Sequence, residues 1–539
     1  MNTKSLRSCI LFFCFLVILQ STCIFAQTVS KNSFLNSLQF PQNDSRKSAD
    51  GRTTVTIVML ASDVGRLFPA DLKNRVVDGY KVLVTDGAEK FLGTLIPCGQ
   101  STLGINPPNL RIDDLEQIPS GANSRGTKQR PSLAGVPLID KSIVINPMTM
   151  DDGYASTLAY MEFVNHFYLI PAGTEPQAGE FAKVVYRFVD PKDQWTEVIN
   201  PADGKKINSV NAGLHLVSFN VVKLLRNAQS DGSEVLGIAK AGYNIQNLDD
   251  KFRKLLGKPY AEDLEKVFRS ADVKNVQVAP FRVKFIWIEK TKAEKESTDP
   301  KLEHGNQALM KKLVLQVYSA PKKFKGKELY NNLVDAMDLH QMFRFMALNR
   351  LIENGDISDE YFWYVLKDGK TGKIRLGILP LDGDDMLKGV HMFLSTPKQI
   401  GVILKGSGIG KKLGMDPGYI INYEDPLFRI IREDPYLCCQ YLEEFKNLAG
   451  EAVKPGVLDG ILGKTISKIQ PYSADHEVLD RGLTDERKRE YTSTSFADAN
   501  SNIKKRFIEN AVKALAKLNG IGGKPGDLQK AKKGAESKE

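Results

Sequence analysis

The sequence predicts an α+β fold, β-rich in its N-terminal part and helical towards its C-terminus. Short β-branched runs such as Thr53–Leu60 (TTVTIVML), and a hairpin pattern around Asp86-Gly87, dominate the first half. Apolar runs at helical spacing, opened by aspartates at Asp338, Asp425 and Asp434, dominate the second. With 539 residues, 42% hydrophobic and 26% charged, the composition is that of a globular chain. Such a length suits about two to four domain-sized units or one large two-lobed body.

The first 26 residues read as a cleaved secretory leader: Lys4 and Arg7, the apolar run Ile10–Ile18, and Ala26 before the cleavage point. Cys23 raises a lipoprotein alternative, but Gln20 is a poor residue three places before it, so Gln27 is the expected mature N-terminus. No later stretch approaches the roughly twenty apolar residues a membrane-spanning helix needs. The expected destination is therefore outside the cytoplasm: secreted, periplasmic or at the cell surface, with no membrane span once the leader is gone. Cys98, Cys438 and Cys439 remain after cleavage, and free thiols are preferred to a bridge from Cys98 to one of the vicinal pair. A net charge of +10 falls by two with the leader, and much of the excess sits in C-terminal lysines such as Lys524, Lys530, Lys532 and Lys533. No stacking motif accompanies that charge, so a nucleic-acid partner is not expected. The six histidines are scattered without an H-x-x-x-H pair, which argues against hydrolytic zinc chemistry.

Residues 27–50 are polar and Ser/Asn-rich, a linker before the β-rich lobe expected over 51–325. Thr53–Leu60 opens that lobe as a strand, and Ala61–Leu67 turns into a loop or short helix. Gly79–Thr85 and Lys90–Ile96 form a hairpin around Asp86-Gly87. A Gly/Ser/Pro-rich loop spans Ser120–Pro131, the strand Ser142–Asn146 follows, and Tyr154–Phe167 reads as a helix apolar at Leu158, Met161, Val164 and Phe167. Phe181–Val189 is a strand and Gly213–Leu225 a buried segment. Asn247–Ala271 reads as an amphipathic helix pair broken at Gly257-Lys258-Pro259. Val283–Ile288 and Leu313–Tyr318 read as strands flanking a charged, exposed insertion at Lys290–Asn306.

The stretch that organises the chain runs from Asp338 to Gly389. Asp338 is an N-cap, and Leu339, Met342, Phe343, Met346 and Ala347 form the buried face of the helix it starts. That helix should stop near Gly355, with Asp356 immediately after it. Tyr361–Leu366 is an aromatic strand, Lys367–Gly372 a reversal with an Asp368-Gly369 pair, and Lys373–Leu379 a returning strand that leads through Pro380 to Asp382-Gly383-Asp384-Asp385. Two acidic sites distant in sequence thus fall at the same end of one hairpin. Such an arrangement suits metal-assisted phosphoryl transfer, one carboxylate orienting a hydroxyl while others hold Mg²⁺. Taken alone, the acidic cluster reads equally as a solvated turn.

The ordered pattern of apolar helix, Asn354-Gly355-Asp356, aromatic strand, DG turn, strand ending in Pro380 and D-x-D resembles the CotH kinase family, the atypical secreted protein kinases named for spore-coat protein H. Upstream, Gly99-Gln100-Ser101-Thr102 is similar to the family's R-G-x-S-[ST] segment with Cys98 in place of Arg, and Leu133–Pro137 is similar to its L-G-x-P. The resemblance implies a kinase-like two-lobed body with its catalytic lobe over 326–518. It also implies an exported enzyme using ATP and Mg²⁺ to phosphorylate Ser or Thr of secreted or cell-surface proteins. In that reading Asp356 is the catalytic carboxylate, Asp382 and Asp384 hold the metal with Glu360 as helper, and Lys128 contacts phosphate. Leu381 stands where the family has an aromatic, and Glu360 where it has Asn. Those departures, with Cys98, support the alternative of an inactive kinase-like assembly or binding module.

Beyond the acidic cluster, Gly406–Lys412 lacks the Walker spacing and reads as a loop. Asp425-Pro426 and Asp434-Pro435 each start a helix with Pro in its first turn, the second reaching about Leu448. Ile503–Leu518 is a last amphipathic helix, and residues 519–539 form a basic tail with too little apolar content to fold.

Overall fold

A computed structural model describes residues 51–69, 76–98, 108–118, 130–147, 156–168, 176–199, 204–220, 232–243, 277–278, 281–288, 305–354, 361–380, 434–473 and 496–521, with single positions at 383, 386, 427, 430, 431 and 475. The leader, the linker 27–50, the helix pair expected at 247–271, the Gly-rich stretch 406–412 and the tail after Ile521 lie outside the described residues. By its contacts the chain groups into two units, each discontinuous in sequence. One comprises 1–147, 180–217 and 475–482; the other comprises 148–179, 218–474 and 483–539.

The first unit is built from β1 (Thr54–Leu60), β2 (Tyr80–Thr85), β3 (Lys90–Cys98), β4 (Asn109–Gln117), the short pair β5 (Ser132–Leu133) and β6 (Val136–Pro137), β7 (Ile143–Pro147), β8 (Gly179–Val189), a second short pair β9 (Val198–Ile199) and β10 (Lys206–Ile207), and β11 (Ser209–Ser218). Seven of these close into a barrel in the order β1-β2-β3-β4-β7-β11-β8. Closure comes from the parallel pairing of β1 with β8, Thr54 opposite Lys183 through Leu60 opposite Val189. It leaves the barrel strands no open edge. Strand β3 alternates buried and half-buried positions, as a barrel wall must. The expected β2–β3 hairpin is present, Thr85 opposite Lys90. Its turn is held by the buried Asp86, whose carboxylate accepts from the amides of Ala88, Glu89 and Ala134.

The second unit combines helices with a five-stranded antiparallel sheet, order β13-β14-β12-β15-β16. The strands are β12 (Glu234–Tyr243), β13 (Gln277–Val278), β14 (Phe281–Ile288), β15 (Tyr361–Lys367) and β16 (Ile374–Pro380). The helices are α1 (Ser156–Phe167), α2 (Gly305–Ser319), α3 (Gly326–Ala336), α4 (Leu339–Leu351), α5 (Pro435–Ala452), α6 (Val457–Ile469) and α7 (Phe496–Ile521). One continuous apolar core runs from Phe163 and Phe167 on α1 through Met342 and Phe345 on α4 to Tyr441 on α5 and Phe507 on α7.

The chain is α+β, as the sequence predicts, but its N-terminal strands form a closed barrel rather than a plain β-rich kinase lobe, and a second sheet lies among the helices. Leu313–Tyr318 is not a strand: it lies within α2, where Met310, Leu313, Val314, Val317 and Tyr318 are buried at three- and four-residue spacing. Strand β12, which the sequence does not announce, is the centre of the second sheet. Helix α5 extends to Ala452, past the expected end at Leu448. The reversal after β15 is a six-residue loop, 368–373, one residue on from the expected Lys367–Gly372, since Lys367 pairs with Ile374. Asp368 organises it by accepting from the amides of Lys370 and Thr371, and the left-handed residue is Gly372 (φ +67°). None of the three cysteines among the described residues is in a disulfide; Cys438 and Cys439 are buried and Cys98 half-buried. No helix among the described residues is long and apolar enough to cross a membrane.

Candidate functional site

Helix α4 begins as its sequence requires. The Asp338 carboxylate accepts from the Gln341 amide at 3.0 Å, and the Asp338 amide donates to the Leu376 carbonyl at 2.7 Å. The cap therefore ties the helix start to β16. All five residues of the expected apolar face, Leu339 to Ala347, are buried. The helix ends earlier than Gly355, at Leu351. The chain leaves it through Glu353 in the left-handed region (φ +51°), whose carboxylate pairs with Arg506 at 2.8 Å. Asn354 then turns back, its amide donating to the Asn349 carbonyl at 3.0 Å.

Asn349 is the centre of a buried polar group. Its side-chain amide donates to the Phe345 carbonyl at 2.8 Å. Its side-chain oxygen accepts from the Asn354 amide group at 2.8 Å and from the Tyr160 hydroxyl at 3.1 Å. Tyr160, on α1, has a second contact. Gly383 lies so close to it that an added Cβ would fall on the Tyr160 Cβ and Cγ atoms. Only glycine tolerates that approach. The Gly383 carbonyl accepts from the amide of buried Met386 at 3.3 Å.

Other buried groups fix the hairpin between these points. Tyr361 at the start of β15 is paired with Pro380 at the end of β16. The Pro380 carbonyl accepts from the Gln177 side-chain amide at 3.2 Å, and Gln177 is itself locked to Asn165 of α1 by two reciprocal bonds of 2.6 and 2.7 Å. The Tyr168 hydroxyl donates to the Ile378 carbonyl, and the Tyr364 hydroxyl to the Gln341 side-chain oxygen at 2.7 Å. Burial pushes both phenols well above their usual range, so they stay neutral donors. Gly377 permits this packing, because a Cβ there would meet the Tyr364 ring.

Asp356, Glu360, Asp382, Asp384 and Lys128 lie outside the described residues, as do Asp385 and Gly355. What is described is their immediate sequence neighbours: Asn354 two residues before Asp356, Tyr361 after Glu360, and Gly383 between Asp382 and Asp384. Gly383 packs directly on Tyr160, Asn354 reaches it only through the shared acceptor Asn349, and Tyr361 is paired with Pro380. Among the described residues no group of three or more His, Cys, Asp or Glu side chains is placed to hold a metal ion. The sequence reading names the carboxylates but not Tyr160, Tyr168, Gln177 or Asn349, the buried groups that fix α4, the β15–β16 hairpin and Gly383.

No curated protein matches the chain. Residues 250–514 match the family model described as CotH kinase protein, a span that includes α2 to α6 and both strands of the β15–β16 hairpin. Over residues 250–514, just under half of its length, the chain is similar to the CotH kinase family.

Proposed function

We propose that the protein is an exported, kinase-like phosphotransferase that moves phosphate from ATP to Ser or Thr hydroxyls of secreted or cell-surface proteins. The family match supports the kinase-like class. The observation that carries the site is Tyr160, whose ring packs on Gly383 and whose hydroxyl is bonded to Asn349 beside Asn354. One rigid side chain thereby serves the sequence neighbourhoods of Asp356 and of the Asp382-Gly383-Asp384 motif.

In this reading Asp382 and Asp384 would hold Mg²⁺, with Glu360 able to assist, since hard oxygen ligands suit that ion. Mg²⁺, when bound, supplies neutralisation of phosphate charge. Asp356 would orient the acceptor hydroxyl and take its proton, and Lys128 would contact phosphate as a compact positive charge. The two-lobed, kinase-like arrangement belongs to the same proposal.

Cys98 favours a second reading, an inactive binding module. It occupies the position at which the resemblance places an Arg. Burial, only partly opposed by Arg111, pushes its thiol up to about 11, so it stays neutral at pH 7 and supplies no positive charge. Thermal shift with ATP and Mg²⁺, followed by transfer of labelled phosphate to a generic protein acceptor, separates the two. Asp382→Asn should abolish both the shift and the transfer. Asp356→Asn should keep the shift and lose transfer by a large factor. Wild-type protein that neither binds ATP nor transfers phosphate, with Mg²⁺ or Mn²⁺, would leave the inactive module as the answer.

A further inference from the structure

An open cavity of about 540 Å³ lies on the barrel unit, where β8 passes into the β9–β10 pair. Its wall joins exposed apolar side chains to positive charge. Trp195 and Ile199 are 40% and 57% exposed, close to two cations, Arg187 and Lys206. The Arg187 guanidinium lies 3.8 Å from the centre of the Trp195 ring, a stacked cation–π contact that covers one face of the indole. Neither Arg187 nor Lys206 has a carboxylate partner among the described residues, and Glu197 is the single acidic side chain in the lining.

The platform is held in place before any ligand arrives. Trp195 is bridged to Val189, and the Thr196 amide donates to the Phe188 carbonyl at 3.1 Å. The Asp190 carboxylate accepts from the amides of Lys192 and Gln194 at 2.8 and 2.9 Å, fixing the turn that presents the indole. Asn208 at the rim has its side-chain oxygen bonded to the Ser209 hydroxyl at 3.1 Å, which leaves its amide hydrogens directed elsewhere.

We propose that this cleft is a docking site for an acidic, extended peptide segment of a partner protein. Arg187 and Lys206 would pair with its carboxylates, and Trp195 with Ile199 would cover one apolar side chain. Charge complementarity chooses the occupant: the two cations lack carboxylate partners among the described residues, and charged pairs formed on binding are the stronger class of hydrogen bond. A volume of this size takes a few side chains. Stacking of a sugar ring is disfavoured on the indole face that Arg187 already covers. The inference goes beyond phosphate transfer and does not depend on it, because binding is read directly.

The test is fluorescence anisotropy on the full chain with a labelled peptide alternating Glu and Leu. Saturable binding is expected, weakened about tenfold or more by Lys206→Glu combined with Arg187→Gln, since each removes a bond to a charged group. Lys206→Glu alone lies at an exposed position and keeps the fold, checked by circular dichroism, so it tests the site even if the Arg187 change destabilises the barrel. A peptide with Lys in place of Glu should not compete. The proposal is overturned if the acidic peptide fails to bind, if Lys206→Glu binds it as wild type does, or if the Lys peptide binds equally well. A sulfated oligosaccharide that binds more tightly and displaces the peptide would also overturn it, assigning the cleft to a glycan.

Discussion

At the scale of single residues, the carboxylates proposed to carry chemistry and the buried polar groups near them in sequence leave different traces. Carboxylates after a helix stop and at a strand end stand out because Asp and Gly there break an apolar pattern. Tyr160 leaves no such trace, since a tyrosine one place off the expected apolar face of α1 reads as ordinary packing. Only the fold brings it against Gly383 and Asn349, which are distant in sequence. A substitution at Gly383 is the sharpest probe of that contact. Gly383→Ala drives a methyl group into the Tyr160 Cβ and Cγ atoms, and overpacking of this kind costs about 1–3 kcal/mol. Urea unfolding should show that loss, and the ATP·Mg²⁺ thermal shift should weaken with it, because the displaced backbone lies between Asp382 and Asp384. A Gly383→Ala protein as stable as wild type would mean that Tyr160 does not hold the motif.

At the scale of elements, spacing proved a better guide than composition. Leu313–Tyr318 is rich in residues that favour strands, yet Met310, Leu313, Val314, Val317 and Tyr318 share one helical face, and burial of that face decides the outcome. Strand β12 was missed for the opposite reason: EVLGIAKAGY is rich in Gly, Ala and Lys. Its small residues have a use, since Ala239 stands directly opposite Trp363 and both are buried. Capping was legible, and the two aspartate caps should differ in strength. Asp338 accepts one amide, from Gln341, whereas buried Asp434 accepts those of Tyr436, Leu437 and Gly326, joining the start of α5 to that of α3. Asp338→Ala should cost about 1 kcal/mol, and Asp434→Ala more than about 2 kcal/mol because it leaves buried donors unmade. Equal losses in urea unfolding would contradict that ranking. In the barrel, β11 carries His215, fully buried, with one ring nitrogen bonded to the Gly213 carbonyl at 3.2 Å. Burial lowers its pKa from 6.5 to about 4. The unfolded chain therefore binds the proton first as pH falls, so the stability contributed by the neutral ring is intact above about 6.5 and is lost as pH drops towards 4. The slope in that window should reach up to about 1.4 kcal/mol per pH unit. His215→Gln should flatten it, and an unchanged pH profile would show that His215 is not the titrating group.

At the scale of the molecule, the stretch that matches the family and the unit that folds are not the same piece of chain. Residues 250–514 carry the CotH match, but the unit containing all of them except 475–482 also draws on 148–179 and 218–249. Those outlying segments are not peripheral. Strand β12 pairs with β14 on one side and β15 on the other, so without it the five-stranded sheet divides. Helix α1 contributes Tyr160, Phe163, Val164 and Phe167 to the core, each at most 1% exposed, and Phe163 and Phe167 both meet the Phe507 ring. Burial of each such side chain is worth about 1.5–3 kcal/mol, so losing these four is comparable to the roughly 5–15 kcal/mol by which a domain is stable. A chain cut to residues 250–514 should therefore lack a cooperative urea transition and be digested rapidly by protease. A chain beginning at residue 148 restores α1 and β12 and should recover cooperative unfolding of this unit, although it lacks most of the barrel. Cooperative, protease-resistant folding of 250–514 alone would show that neither α1 nor β12 is needed for the core, and the role assigned to Tyr160 would fall with it.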